Sequence, residues 1–220
     1  DRQRPPERTS KYLAEAGEML LGLGYEPYPC VALSDPMPNV RAIVQLWIHP
    51  RQRDAALASA IFGTEPGANM QIHYVEFFTR YETDEVAVIQ TNNTATLSAF
   101  PRQRNEFTFK FPQVQDVVRL ERLHRLLVER HAPHSRKVVV LHDQFAGDLK
   151  AYLRHVLTDT YRKQEVTGYL QFDEYAHCWR PTLKGAYLMA WSQMWPMLGL
   201  RTQRMLSQSQ RLLTELERGA

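Results

Sequence analysis

Few residues in this chain have the types and spacing that chemistry demands. His131 and His134 are three apart, but Pro133 lies between them and no Cys, Asp or Glu adjoins at a ligand spacing. His142-Asp143 and the run Asp173-Glu174-Tyr175-Ala176-His177-Cys178 bring titratable groups together. A cysteine nucleophile needs a spatially adjacent base and a lowered pKa. His177 and Cys178 are sequence neighbours, which on a strand would point them to opposite faces, so Cys178 is expected to be an inert packed thiol. Glu76, set in the apolar stretch His73-Tyr74-Val75-Glu76-Phe77-Phe78, is the best lone carboxylate for acid–base work, and an outward-facing strand position accounts for it as well. The sequence holds no glycine-rich phosphate loop, no G-x-S-x-G elbow and no H-E-x-x-H helix. The expectation is a non-enzymatic chain with no catalytic, cofactor-binding or metal-ligating residues and no cofactor.

The elements that would position any site follow from periodicity. Residues 1–8 (DRQRPPER) read as a tail or linker. Thr9 or Ser10 can cap a helix whose apolar stripe is Tyr12, Leu13, Ala16, Met19, Leu20 and Leu23, ended by Gly22, Gly24 and Pro27. Strands are expected over Tyr28–Leu33, Val40–Ile48, Asp54–Phe62, Met70–Tyr81, Glu85–Asn92 and Phe107–Phe111, where apolar and polar residues alternate between turn clusters. Short turns leave no room for crossovers, so the sheet should be an antiparallel meander. Residues 113–131 form a helix with Val117, Leu120, His124, Leu127, Val128 and His131 on one face, where His124 is expected to be a hydrogen-bonded core histidine.

Beyond Pro133, Val138–Leu141 is a short apolar run and Phe145–Tyr161 is expected as one continuous amphipathic helix. A hairpin should join Val166–Phe172 to Tyr175–Trp179 across Asp173-Glu174. The helical pattern from Leu183 to about Glu217 must break near Pro196. The expected fold is α+β: an antiparallel meander sheet over 9–131, covered on one face by helices, then a helical part over 132–220 with a hairpin at 166–180.

Composition narrows the function. At 220 residues, 44% apolar and 23% charged, the chain is globular rather than disordered, and two cysteines make no disulfide scaffold. Of its 27 basic residues, 21 are arginine. Residues 101–138 carry nine basic and four acidic side chains, in keeping with a solvated helix face or an anion-facing patch. No uncharged run reaches the length of a spanning helix.

One run comes near it. Gly185–Leu200 is free of charge between Lys184 and Arg201, and Tyr187, Trp191 and Trp195 recur every four residues, so their rings share one helix face. Rings of this type favour headgroup level or a partner's pocket. The basic flank, Arg201 and Arg204 included, suits anionic lipid. These five residues form the candidate interface, for a protein partner or an anionic membrane surface; the same stripe would also serve as core. The chain starts at Asp1, and the expectation is a cytoplasmic module, soluble or at a membrane surface, either the extramembrane part of an anchored protein or an accessory subunit of an assembly; an enzyme with scattered catalytic residues is the third reading.

A second lead comes from Gly168-Tyr169-Leu170, then Asp173-Glu174, then Trp179-Arg180-Pro181-Thr182-Leu183-Lys184-Gly185 before an apolar helix. This stretch resembles the wing and following helix of winged-helix DNA-binding domains, with Pro181 where that family has an apolar residue. The resemblance covers residues 168–190. It implies nucleic acid as the alternative partner, contacted by Lys150, Arg154, Arg162 and Lys163, and it requires the preceding helix to break at Ala146-Gly147-Asp148.

Overall fold

The computed structural model describes residues 5–37, 40–63, 70–83 and 85–219. Pro38-Asn39 and Asp84, which the sequence reads as turn residues, lie outside the described residues, as do 64–69, 220 and residues 1–4 of the expected tail. In chain order the elements are α1 (Glu7–Gly22), β1 (Glu26–Pro27), β2 (Val31–Met37), β3 (Val40–His49), β4 (Asp54–Gly63), β5 (Gln71–Tyr81), β6 (Val88–Asn92), β7 (Glu106–Lys110), α2 (Val117–His131), β8 (Lys137–Val138), α3 (Val140–Asp143), α4 (Leu149–Val166), β9 (Leu170–Asp173), β10 (Cys178–Pro181), α5 (Leu183–Gln193) and α6 (Met197–Arg218). They fall into two compact units. Unit 1 comprises residues 1–95, 104–139 and 209–220; unit 2 comprises 96–103 and 140–208.

Unit 1 is a helix-covered sheet in the order β1-β3-β4-β5-β6-β7, with β2 also on β3 and β8 also on β5. The neighbours are antiparallel, as alternation and short turns predict, apart from β6 and β7, which run parallel with Val88 opposite Glu106. The connection 93–105 is long enough to return the chain to the start of the next strand, and it does so without a helix. The alanine-rich stretch is strand β4. Its Ala56, Ala58 and Ala60 are sealed under α1, where small side chains let the helix approach the sheet. Gly17 of α1 sits against the Trp47 ring, and a Cβ there would lie 3.2 Å from it.

Helix α1 departs from expectation at its start. It begins at Glu7 after Pro6, with no side-chain cap. Thr9 is wholly buried instead, its Oγ1 3.1 Å from His73 Nε2. Helix α2 is capped by Asp116, whose Oδ1 accepts from the backbone N–H of Val118 at 2.8 Å and of Arg119 at 3.1 Å, an arrangement worth about 1 kcal/mol. Its face of Leu120, Leu123, His124 and Leu127 closes the core with Tyr25, Phe77 and Phe111.

Unit 2 corrects one expected element. Phe145–Tyr161 is not one helix. The chain turns between α3 and α4 with Ala146 at φ 48° and Gly147 at φ 83°, and Asp148 then caps α4 through the backbone N–H of Lys150 and Ala151. Two left-handed residues and a new cap outweigh an apolar stripe that is continuous in sequence. Strands β9 and β10 pair Leu170 with Pro181 and Asp173 with Cys178, a hairpin shifted from the expected ends. The break between α5 and α6 falls at 194–196, as Pro196 dictates.

Candidate interaction surface

The sequence of unit 2 places α5 through a tight seat. Thr182 caps the helix: its Oγ1 accepts from the Gly185 backbone N–H at 2.9 Å and donates to the Gly168 carbonyl at 2.7 Å. Gly185 presses against the Tyr169 carbonyl so closely that a Cβ would lie 1.9 Å from its oxygen. Gly185 is also the buried residue of α5, and it fixes which side of the helix faces inward.

The consequence is an inverted helix. With the inward side set by Gly185, the outward side carries Leu183, Tyr187, Trp191 and Met194, and Trp195 follows at its end. Their fractional exposures are 94% for Leu183, 66% for Tyr187, 48% for Trp191, 56% for Met194 and 87% for Trp195. The Tyr187 and Trp191 rings lie near-parallel, 11° apart, with centroids 6.4 Å from each other. Most exposed large apolar side chains among the described residues belong to unit 2, Tyr175 at the hairpin tip and Leu200 included. Contiguous exposed apolar patches larger than roughly a few hundred Å² mark interaction sites on soluble proteins.

The two arginines of the expected interface differ. Arg201 is committed inside unit 2, donating from Nη1 to the Ser192 carbonyl and from Nη2 to the Ser98 carbonyl, both at 2.9 Å. It tethers the start of α6 to the end of α5. Arg204 is exposed.

Of the alternative nucleic-acid residues, Lys150 and Arg154 are one turn apart on α4 and exposed. Arg162 is exposed further round the helix, and Lys163 pairs with Asp159 at 2.9 Å. The structure therefore brings two of the four together.

The titratable groups singled out by the sequence lie elsewhere. His131 stacks on Phe109, centroids 5.3 Å apart, and burial lowers its pKa. Cys178 is exposed rather than packed, and His177, at φ 47°, belongs to the hairpin turn. Hairpin geometry, with Asp173 Oδ1 accepting from Tyr175 and Ala176 backbone N–H groups, draws the thiol out to the surface. Glu76 faces away from α1 and α2 but has little access to water, so burial raises its pKa, and Asn92 Nδ2 donates to its Oε2 at 2.8 Å. Among the described residues no group of three or more His, Cys, Asp or Glu is placed to hold a metal ion.

One cluster that sequence reasoning missed is the polar centre of unit 1. The Asp54 side chain is fully buried and accepts from Lys137 Nζ at 3.1 Å, from Thr79 Oγ1 at 2.6 Å and from Arg125. Arg125 also pairs with Glu121 and reaches the Tyr25 hydroxyl at 3.4 Å. His124 sits between Thr79 and Thr91, and burial pushes its pKa down to about 3. Strand parity was the available signal, since Asp54 lies on the same face of β4 as Ala56, Ala58 and Ala60. Charge is balanced there and the donors are used, so the cluster ties β4, β5, β8 and α2 together.

Comparison with known proteins adds no relative: no family model, no curated protein and no solved structure matches the chain. Among the described residues no helix is long and apolar enough to cross a membrane.

Proposed function

We propose that this chain is a non-enzymatic docking module, the extramembrane part of an anchored protein or an accessory subunit of an assembly. In this reading unit 1 is the rigid body and α5 the contact surface. The single observation that carries it is the outward Tyr187–Trp191–Trp195 face. A packed domain hides apolar rings from water, because each buried aromatic contributes roughly a few kcal/mol. A helix that instead turns small Gly185 inward and its rings outward is built for something beyond its own unit. The test is Trp191→Ala combined with Trp195→Ala. The unfolding midpoint should barely move, in keeping with surface changes of about 0.5 kcal/mol or less. A loss of roughly 3–5 kcal/mol, the cost of truncating a core tryptophan, would overturn the reading.

A second reading, a winged-helix-like nucleic-acid binder, draws support from the turn at 144–148. The cap at Asp148 puts a break where the resemblance requires one, although it leaves a four-residue α3 and an 18-residue α4 ahead of the hairpin and not the two short helices the resemblance implies. Lys150→Ala with Arg154→Ala would then weaken duplex DNA binding and flatten its salt dependence. Salt-insensitive absence of binding in the unaltered chain would remove this reading.

A further inference from the structure

We infer that the occupant of the α5 face is an anionic membrane surface, on which α5 lies without crossing; the inference rests on the docking reading above and names its partner. Three observations carry it. The first is charge. From Tyr175 to Thr214 the sequence contains no acidic residue, while Arg180, Lys184, Arg201, Arg204 and Arg211 are all cationic. The aromatic residues fall within forty consecutive residues free of carboxylates, so this stretch itself carries no charge that repels a negative surface. Arg180 is paired with Asp173 at 3.0 Å, so it is the other cations that add to the attraction near an anionic leaflet, with a range set by the Debye length.

The second observation is residue type. The exposed face is led by Tyr187, Trp191 and Trp195, with Leu183 and Met194 beside them. Tyrosine and tryptophan rings are part apolar and part polar, which suits the boundary between headgroups and acyl chains better than it suits a purely apolar pocket. The third is length and charge placement along the helix. The uncharged segment Gly185–Leu200 is too short to span a bilayer, and Lys184 and Arg201 bracket it. The segment runs through α5, the break at 194–196 and the first turn of α6, so in this assignment α5 lies in the interface with its exposed rings at headgroup depth. Arg201 is held by the Ser98 and Ser192 carbonyls, so its part is to fix the turn into α6, and Lys184 and Arg204 are the exposed cations of unit 2 left for the lipid.

The experiment is co-sedimentation of the full chain with vesicles of phosphatidylcholine and phosphatidylserine in equal parts, beside vesicles of phosphatidylcholine alone. Binding to the mixed vesicles, weakened by salt and lost in Trp191→Ala/Trp195→Ala, is expected. Lys184→Glu with Arg204→Glu should weaken it roughly tenfold or more while leaving the fold intact. Equal binding to both vesicle types, or binding to neither, would overturn the lipid assignment. So would sedimentation equilibrium showing a dimer of this chain that the double-alanine variant abolishes. In those cases an unmoved unfolding midpoint in the double-alanine variant leaves the docking reading standing, whereas a collapsed midpoint removes both.

Discussion

The Nε2 atom of His124 and the Thr79 hydroxyl meet at 3.0 Å, and Asp54 fixes the direction of that hydrogen bond. Thr79 spends its one proton on Asp54 Oδ1, 2.6 Å away, so it must accept from His124 Nε2–H. Burial keeps the ring neutral, so Nδ1 carries the lone pair and accepts from the Thr91 hydroxyl at 3.0 Å. The imidazole is thus held in a single tautomer, with α2 pinned to β5 and β6 through it.

That neutrality gives stability a pH dependence. Burial pushes the folded pKa of His124 down to about 3, while an unfolded histidine titrates near 6.5. The unfolded chain therefore binds the extra proton between those values, and stability rises with pH across that window. The contribution should be complete above pH about 6.5 and fall by up to about 1.4 kcal/mol per pH unit as acid is added towards pH about 3. Urea unfolding at a series of pH values, with the His124 ring proton followed by NMR, checks it. A His124 resonance that titrates near pH 6.5 in the folded chain would contradict the buried neutral ring.

Asp54→Ala should cost about 3 kcal/mol or more, because it strands the Arg125 and Lys137 charges together. Both cations keep some access to water, which holds the cost near the lower end of the range for broken buried pairs. Chemical denaturation would measure it. A loss below about 1 kcal/mol, as for surface pairs, would show that the cluster does not tie the strands to α2.

Gly185→Ala should destabilise the seat of α5 by roughly 1–3 kcal/mol, since the new methyl group would meet the Tyr169 carbonyl oxygen. Hydrogen exchange should then quicken at β9, β10 and the first turn of α5 while the unit 1 sheet stays protected. Unchanged exchange at Tyr169 and Gly185 would contradict the close approach.

The sheet of unit 1 was legible because alternation, turn residues and the 3.6-residue stripe of α2 all pointed to one answer. His124 was legible for the same reason, as a polar residue on an apolar face. Its partners were not, because Thr79, Thr91 and Asp54 are brought together only by strand register, which one sequence does not state. The parallel β6–β7 pair escaped notice because a long connection without a helix pattern gives no directional signal. The split between α3 and α4 was hidden by Phe145, whose apolar ring extended the α4 stripe across a turn. The outward side of α5 was also illegible. Leu188 and Met189 are as apolar as Tyr187 and Trp191, so periodicity names no face; the Gly185 seat decides it.

The most direct test of the account is acrylamide quenching of tryptophan fluorescence, taken as the difference between the unaltered chain and Trp191→Phe/Trp195→Phe. That difference isolates the Trp191 and Trp195 rings from Trp47 and Trp179. In buffer the two rings should emit like water-exposed tryptophan and be readily quenched, and vesicles containing phosphatidylserine should shift their emission to the blue and protect them. Rings that are already blue-shifted and protected in buffer would show that α5 packs its aromatics inside the fold, and would contradict the account.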